Sequence, residues 1–468
     1  MAEAHQGWAL PTRLGTPLTP PLSSCQTRVC PRKDGFAVLE WGISTRSPNP
    51  EINLIYESEN QSMKPTVAVI FGGKSTEHEV SIITGLQAFA AINRDKYNAV
   101  PIYLSKDNKF YTGEIMGKIE NYSNISDLLK SKGCIAVTFC GADLCEITPK
   151  KVELRKPVAT IDIALPCVHG TNVEDGALQG YLQTHGIPYA GCDVTASAIG
   201  MDKAFQKAVL KQFAGVPVLD CLCFTAKQFV GEGERVLDEI LRKLELPLIV
   251  KPINLGSSIG IKAAKTEKQL TSAIEHALLF ADTFLVEKAI TNLKEINCSV
   301  IGDKDSARAS ECEEPISSGN ESILGFDDKY SGGKGGDKSG GTGIGSKGSG
   351  MASLKRKIPA DISPELKENI QAMAVRAFRT LGCSGVARID FLLDTESGQC
   401  YFNEINTIPG SLAFYLWEPV GVKYPALLDE ILSLALKRER EKSNLNYSFE
   451  NNILSAFKGG MGSKSINN

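Results

Sequence analysis

Two neighbouring strand-like segments near the carboxyl end of the chain bring three oxygen-bearing side chains together. The apolar segment 401–407 carries Glu404 and Asn406 two residues apart, so both side chains point to the same face of a strand. Asp390 lies on the preceding strand-like segment, 386–393, and a turn joins the two. Mg²⁺ prefers a few protein oxygens next to phosphate oxygens. The pattern predicts a magnesium site, and a plain hairpin with polar outer faces is the alternative.

Composition places the chain among ordinary globular proteins. The 468 residues are 42% hydrophobic and 22% charged, with a formal net charge of −3, and the length predicts two to four domains. The chain lacks the excess of basic residues that would indicate a nucleic-acid partner. It also has no apolar run of the roughly 20 residues that are needed to span a membrane. The 13 cysteines form no CxxC pair, which favours a reducing, cytoplasmic location.

The two ends of the chain show no pattern that could build a packed core. Residues 1–62 are rich in proline, serine and threonine and lack both the helical and the strand period. They also lack the basic, apolar and small-residue order of a signal peptide. We predict a disordered or mis-annotated leader, with Met63 as the alternative start, and a frayed tail over residues 447–468.

Strand-like and helical segments alternate over residues 63–191, which predicts an N-terminal α/β domain with a parallel sheet. Ligands of such sheets bind at the carboxyl ends of the strands. Gly72 and His169 follow two of these strands directly. The predicted strands are 67–71, 100–104 and 161–168.

Two further units are predicted over residues 192–286 and 287–446. In the first, a strand enters the small-residue loop 252–260, whose backbone N–H groups can approach a phosphate closely. A plain hairpin turn is the alternative, and the loop lacks the GxxxxGK[ST] pattern. In the second, the glycine-rich segment 331–350 is typical of a flexible linker, with a mobile lid as the alternative.

Short motifs occur in a fixed order along residues 63–437, and together they resemble the D-alanine–D-alanine ligases. Such a combination at plausible spacings is hard to obtain by chance. The motifs are FGGKSTEHEVS at 71–81, HG at 169–170 with EDG at 174–176 and LQG at 178–180, MDK at 201–203, KP at 251–252 with GSSIG at 256–260, EK at 287–288, and RID at 388–390 with NEINTIPG at 403–410.

The resemblance implies the ATP-grasp fold, in which an N-terminal α/β domain precedes two α+β domains that clasp ATP. It implies that one D-alanine carboxylate attacks the γ-phosphoryl group of ATP and becomes an acyl phosphate. The amine of a second D-alanine then attacks that carbonyl, and D-alanyl-D-alanine, ADP and phosphate are formed. The product would be a peptidoglycan precursor, and the partners would be small molecules, with a homodimer compatible with the family.

The resemblance also assigns roles by position. Asp390, Glu404 and Asn406 would hold two Mg²⁺ or Mn²⁺ ions that neutralise the phosphates. The expected nucleotide-binding residues are Lys203, Lys251, Gly256, Ser258, Glu287, Lys288, Ile290, Glu295 and Lys329, with the spacing of Glu295 slightly different from the family's. The expected catalytic residues are Glu77, His169, Ser257, Tyr330, Arg388 and Gly410.

Within the catalytic group, Glu77 would bind the first substrate's ammonium, in a triad with Ser257 and Tyr330. Arg388 would stabilise the oxyanion and the second carboxylate. His169 would lie near the first carboxylate. The alternatives are a helix-dipole charge for Glu77, a structural hydrogen bond for His169 and a surface strand position for Arg388.

Two departures from the family leave the second substrate open. The glycine-rich segment follows Tyr330 directly, and Tyr415 stands where a small serine usually binds the second carboxylate. The chain could therefore join D-alanine to D-serine, D-lactate or another amino acid. A third hypothesis, a nucleotide-binding relative without catalysis, conflicts with the intact set of charged residues.

Overall fold

The computed structural model of the chain describes residues 64–148, 157–316 and 356–446. The predicted leader and tail, the glycine-rich segment 331–350, Lys329 and Tyr330 lie outside these ranges, so the predictions made for them are not tested. In the described part of the chain, three sheets carry the helices that pack against them.

The first sheet is mixed rather than fully parallel. β1 is parallel to both β2 and β7, and the remaining neighbours are antiparallel, in the order β6-β5-β4-β3-β2-β1-β7. Successive strands from β2 to β5 pair with each other antiparallel, and the short connections β2–β3 and β4–β5 allow only that arrangement. The strands are β1 (Thr66–Gly72), β2 (Asn98–Leu104), β3 (Phe110–Thr112), β4 (Ile135–Cys140), β5 (Asp143–Glu146), β6 (Ala159–Thr160) and β7 (Ile163–Pro166).

Helices cover the central strands of this sheet. β1 runs through Gly72 into α1 (His78–Ala91), and its residues from Val67 to Phe71 are fully buried, as expected of a strand covered on both faces. The closing helix α9 (Tyr424–Ser443) adds Leu427, Leu428, Ile431 and Leu432 to the same core.

The second sheet is four-stranded and antiparallel, in the order β10-β9-β11-β8. Its strands are β8 (Cys221–Thr225), β9 (Leu248–Pro252), β10 (Lys262–Ala264) and β11 (Thr283–Lys288), and α6 (Ala226–Lys243) and α7 (Glu267–Ala277) contribute to its core. Val250 and Phe284 belong to that core. Alternation along the strands therefore turns Lys251 and Glu287 to the opposite face.

The third sheet is five-stranded and antiparallel, in the order β14-β13-β12-β15-β16. It consists of β12 (Leu293–Gly302), β13 (Ala307–Pro315), β14 (Arg356–Lys357), β15 (Gly385–Asp394) and β16 (Cys400–Asn406). Helix α8 (Pro364–Thr380) begins where the Ser363 hydroxyl accepts the Leu366 N–H at 3.2 Å. Its buried stripe of Ile370, Ala374 and Phe378 packs on one face of the sheet.

The short helix α2 (Ile125–Leu128) lies between β3 and β4 of the first sheet. Three further short helices lie between the first and second sheets: α3 (Ala177–Thr184), α4 (Val194–Met201) and α5 (Lys203–Val209). The Asp202 carboxylate caps α5 by accepting the N–H groups of Ala204 and Phe205, each at 2.9 Å. This cap fixes Lys203 at the first position of the helix. Among the described residues, no helix combines the length and apolarity needed to cross a membrane.

Candidate active site

Polar side chains occupy one face of the five-stranded sheet in two adjacent rows. Their apolar neighbours Ile296, Cys298 and Ile389 lie in the core with α8, so strand alternation turns the rows away from that helix. The three predicted metal ligands thus lie on the paired strands β15 and β16, with Asp390 directly opposite Glu404. The first row is Glu313, Asn297, Asp390 and Glu404, and the second is Ser299, Arg388 and Asn406.

Cationic side chains compensate both carboxylates of the predicted metal triad. Nε and Nη2 of Arg388 donate to the two carboxylate oxygens of Asp390, each at 2.7 Å. The Asn406 amide donates to Oδ2 of Asp390 at 3.1 Å, and Lys203 Nζ lies 3.1 Å from Oε2 of Glu404. Burial acts to lower the pKa of Arg388, but the Asp390 carboxylate raises it well above the ordinary value, so the guanidinium is charged.

The donor set of the triad suits a hard cation. Two carboxylates and one amide oxygen leave most coordination positions to water and phosphate oxygens, as Mg²⁺ prefers. In the described ranges, no cluster of three histidine, cysteine, aspartate or glutamate side chains offers a complete protein cage for a metal ion. The residues therefore fit a metal bound together with a phosphate ligand.

A cleft of about 710 Å³ lies between the four-stranded and five-stranded sheets, and we call it the sheet cleft. Of the predicted nucleotide-binding residues, those that line it are Lys251, Ser258, Glu287, Lys288, Ile290 and Glu295, and the predicted metal ligands Asp390 and Glu404 line it as well. Lys288 keeps 58% of its side chain exposed and lies 3.4 Å from Glu245.

A buried carboxylate joins two lysines on the wall of the sheet cleft. Glu287 is 1% exposed, and it contacts Lys207 Nζ at 2.6 Å and forms a short ion pair with Lys251. Burial acts to raise the pKa of Glu287, but Lys207 and Lys251 lower it to about 2. Lys251 also donates to Oδ1 of Asn403 at 2.9 Å. The lysine that faces the cleft is thereby held in one position.

A second cleft, of about 600 Å³, adjoins the first, and we call it the Glu77 cleft. Glu404 lines both clefts, so a ligand in one can meet a ligand in the other at this residue. The predicted site residues that line the Glu77 cleft are Glu77, His169, Lys203, Gly256, Ser257, Arg388, Glu404, Asn406 and Gly410.

Glu77 is the N-cap residue of α1, as the helix-dipole alternative expects, and it is also buried at the wall of the Glu77 cleft. It is 6% exposed, and the Ser257 hydroxyl donates to its Oε1. A Cβ atom at Gly256 would lie 2.9 Å from Oε2 of Glu77, so glycine allows the loop to approach this close. Ser257 and Ser258 adopt left-handed backbone angles, with φ of 55° and 58°, which is strain of the kind that collects at binding sites.

His169 has both a structural partner and a place in the Glu77 cleft. Its Nε2 lies 2.8 Å from Oγ1 of Thr84, and its carbonyl accepts the Ser75 hydroxyl at 2.6 Å. Burial lowers the pKa of His169 to about 4, so the imidazole is neutral at pH 7. A neutral ring beside a bound carboxylate can accept or donate a hydrogen bond without adding charge.

Sequence reasoning missed two charged residues of the site. Glu174 accepts the N–H groups of Gly170 at 3.0 Å and Ile408 at 2.9 Å, and thereby joins two loops of the Glu77 cleft. Burial and the charge of Glu77 raise its pKa to about 7. Lys207 could have been found from its spacing of four from Lys203, which puts both lysines on one face of α5.

The Tyr415 hydroxyl is directed toward Glu313. After Gly410 the chain makes a left-handed turn over residues 411–413, with φ between 49° and 55°. The Ser411 N–H donates to Oγ1 of Thr84 at 3.0 Å and holds this turn. The buried hydroxyl of Tyr415 then lies 3.4 Å from Oε1 of Glu313, and Tyr415 is not among the residues that line the Glu77 cleft.

Comparison with known proteins agrees with this geometry. The family model described as D-ala D-ala ligase N-terminus matches residues 66–192, and the D-ala D-ala ligase C-terminus model matches residues 210–341 and 343–433. The chain is 37% identical over 390 residues to a D-alanine–D-alanine ligase of Acetivibrio thermocellus, covering 80% of this chain and 96% of the relative. It is 38% identical over 379 residues to the enzyme of that name from Chlorobium phaeovibrioides, covering 80% and 98%.

Two solved structures of similar fold are named as ligases with different second substrates, D-alanine in one and D-serine in the other. A D-alanine–D-alanine ligase from Coxiella burnetii superposes with a TM-score of 0.64 at 28% identity, covering 81% of this chain and 97% of its own. The VanG D-Ala:D-Ser ligase from Enterococcus faecalis gives a TM-score of 0.65 at 29% identity, covering 80% and 100%. The fold is therefore the ATP-grasp fold, and the chain belongs to the D-alanine–D-alanine ligase family of ADP-forming enzymes.

Proposed function

We propose that this chain joins two D-alanine molecules into D-alanyl-D-alanine and cleaves ATP to ADP and phosphate. The observation that carries the proposal is the meeting of the two clefts at Glu404. ATP in the sheet cleft would present its γ-phosphoryl group at this junction, where an amino acid in the Glu77 cleft can reach it. Holding both reactants in one geometry is the main catalytic contribution expected of such a site.

The first step forms an acyl phosphate. The ammonium group of the first D-alanine pairs with Glu77, whose carboxylate Ser257 holds by a hydrogen bond. The substrate carboxylate oxygen attacks the γ-phosphorus, the bond from that phosphorus to the β-phosphate bridging oxygen breaks, and ADP leaves. Lys203 and Lys251 provide positive charge for the phosphate oxygens.

The second step forms the peptide bond. The free amine of the second D-alanine attacks the acyl carbonyl, and the tetrahedral intermediate collapses as the carbon–oxygen bond to phosphate breaks. The amine proton leaves with the released phosphate or to water. Nε and Nη2 of Arg388 donate hydrogen bonds to the Asp390 carboxylate. Nη1 remains available for the oxyanion and the second carboxylate.

Metal ions complete the proposed site. Asp390, Glu404 and Asn406 would hold two Mg²⁺ or Mn²⁺ ions, which when bound neutralise charge on the transferred phosphoryl group. The proposal includes a clasp of ATP between the units 192–286 and 287–446 and the first substrate on unit 63–191. The sheet cleft is lined by strands of the four-stranded and five-stranded sheets, and β11 (Thr283–Lys288) of the four-stranded sheet continues two residues past the proposed boundary at 286. We also infer that the enzyme works in the cytoplasm for peptidoglycan synthesis.

A second candidate is ligation of D-alanine to D-serine. It is supported by the likeness to a solved D-Ala:D-Ser ligase and by the altered position of the Tyr415 hydroxyl. The two functions share every step and differ only in the side chain of the acceptor.

The test is phosphate release at fixed Mg-ATP with D-alanine against L-alanine, followed by mass analysis of products from an equal mixture of D-alanine, D-serine and D-lactate. We expect phosphate release with D-alanine alone of the two enantiomers and D-alanyl-D-alanine as the main product. Dominant D-alanyl-D-serine would favour the second candidate. Absence of phosphate release with any D-amino acid would overturn both.

A further inference from the structure

A buried ion pair lies at the Glu313 end of the polar row that contains Asp390, and it takes no part in the steps above. Nη1 of Arg356 donates to Oε2 of Glu313 at 2.6 Å, with Arg356 side-chain exposure of 9% and Glu313 of 1%. Oε1 of Glu313 accepts the Asn297 amide at 2.9 Å and faces the Tyr415 hydroxyl at 3.4 Å. The Arg356 guanidinium lies 3.8 Å above the ring of Tyr415. We call these four residues the Arg356 cluster.

The Arg356 cluster is linked to Arg388 through the polar row that contains Glu313 and Asp390. Glu313 stands at one end of the polar row that contains Asp390, and Arg388 is hydrogen-bonded to Asp390. The Tyr415 hydroxyl faces Glu313, and the Arg356 guanidinium covers the Tyr415 ring.

We propose that Arg356 is a specificity-determining residue, which favours acceptors that carry a carboxylate by neutralising Glu313 beside Arg388. A carboxylate on the acceptor must approach Arg388, and an uncompensated Glu313 would repel it through a low-dielectric interior. With Arg356 in place, Glu313 contributes no net negative charge. This inference rests on the proposed function, because it concerns the second substrate of the same reaction.

The cluster is suited to this role because its position does not depend on the substrate. Glu313 accepts hydrogen bonds from three side chains, and Arg356 is fixed between that carboxylate and an aromatic face. The hydroxyl that would have bound the carboxylate in a serine-bearing relative is here directed to Glu313. Attraction of the acceptor carboxylate consequently depends more on the balance of charge around Arg388.

The test is a competition between equal concentrations of D-alanine and D-alaninamide as acceptors, with D-alanine as the first substrate. The ratio of D-alanyl-D-alanine to D-alanyl-D-alaninamide is measured by mass spectrometry. This ratio is independent of ATP binding and of the amount of active enzyme. We expect Arg356→Gln to lower it about tenfold, and Arg356→Lys, which keeps the charge, to lower it less.

The double variant Arg356→Gln, Glu313→Gln separates charge from packing and guards against misfolding. It removes both buried charges, a change that proteins tolerate better than the loss of one partner, and we expect its product ratio to return toward that of the unsubstituted chain. Arg94→Gln is the matched control, because Arg94 also stacks on an aromatic ring, that of Phe89 at 4.3 Å, and is distant in sequence from every predicted site residue.

An unchanged ratio in Arg356→Gln would overturn the inference, and so would equal ratios in the single and double variants, since a packing role would affect both alike. If the unsubstituted chain makes both products and the product ratio does not change in Arg356→Gln, this inference fails but the proposed ligase function stands. If it makes neither product, the proposed function and this inference fail together.

Discussion

Replacement of Glu287 with glutamine removes a buried negative charge that Lys207 and Lys251 share. The carboxylate is 1% exposed, so solvent screening weakens its ion pairs little. Its pKa falls from an ordinary 4.5 to about 2 because the attraction of the two lysines exceeds the cost of burial. At roughly 1.4 kcal/mol for each tenfold change in proton affinity, this corresponds to about 3 kcal/mol of stability.

The contribution of Glu287 depends on pH in a defined direction. Because the folded-state pKa lies below the unfolded one, the folded protein binds fewer protons between these values, and the stabilisation is complete above about pH 5. It decreases as the pH falls toward 2, with about half lost near pH 3. Loss of one partner of a buried ion pair costs about 3–5 kcal/mol in other proteins. The contribution of about 3 kcal/mol worked out for Glu287 is of the same size.

The assay is urea unfolding of the unsubstituted chain and Glu287→Gln, followed by circular dichroism at several pH values. We expect the variant to be less stable by about 3 kcal/mol at pH 7, with the difference shrinking as the pH falls toward 3. Glu239→Gln is the control, because Glu239 pairs with Lys243 at 2.6 Å on the surface of α6, and its unfolding midpoint should not change. Equal midpoints for Glu287→Gln and the unsubstituted chain at pH 7, or a difference at pH 3 as large as that at pH 7, would refute this reasoning.

Three further predictions concern activity. Glu404→Gln should abolish phosphate release while circular dichroism shows a folded protein, because one ligand charge at the metal site is worth several kcal/mol; near-normal turnover would contradict the assignment. Ser257→Ala should raise KM for D-alanine more than KM for ATP, since the serine hydroxyl holds Glu77; an equal rise in both would contradict that role. D-Alanine should exceed D-lactate as acceptor from pH 6 to 9, increasingly as the free amine forms, because a tyrosine at position 330 adds no positive charge that would repel the ammonium group of the acceptor; depsipeptide as the main product at neutral pH would contradict this.

The metal triad could be predicted from sequence because it depends on local geometry. Alternation along a strand fixes Glu404 and Asn406 on one face, and a short turn brings the strand of Asp390 alongside. The structure places all three together for that reason. Long-range contacts were beyond this approach: Lys207 meets Glu287 across 80 residues of sequence, and no local pattern indicates which strand a helix will face.

One loop conformation and the strand directions of one sheet also escaped prediction. Residues 411–413 are left-handed although none is glycine or asparagine, so the sequence carries no signal for the turn that directs Tyr415 toward Glu313. The parallel sheet expected at the amino-terminal end is mixed, because segments between the predicted strands form additional antiparallel hairpins. At residues 411–413 tertiary packing overrides the local preference.

The most direct test of the central claim is the fate of oxygen from the substrate carboxylate. An acyl phosphate intermediate transfers one carboxylate oxygen of the first D-alanine to inorganic phosphate when the amine attacks the carbonyl. With D-alanine labelled by ¹⁸O in its carboxylate, Mg-ATP and the full chain, we predict one ¹⁸O atom in each phosphate released along with D-alanyl-D-alanine. Unlabelled phosphate, or label found in AMP, would contradict the acyl phosphate mechanism.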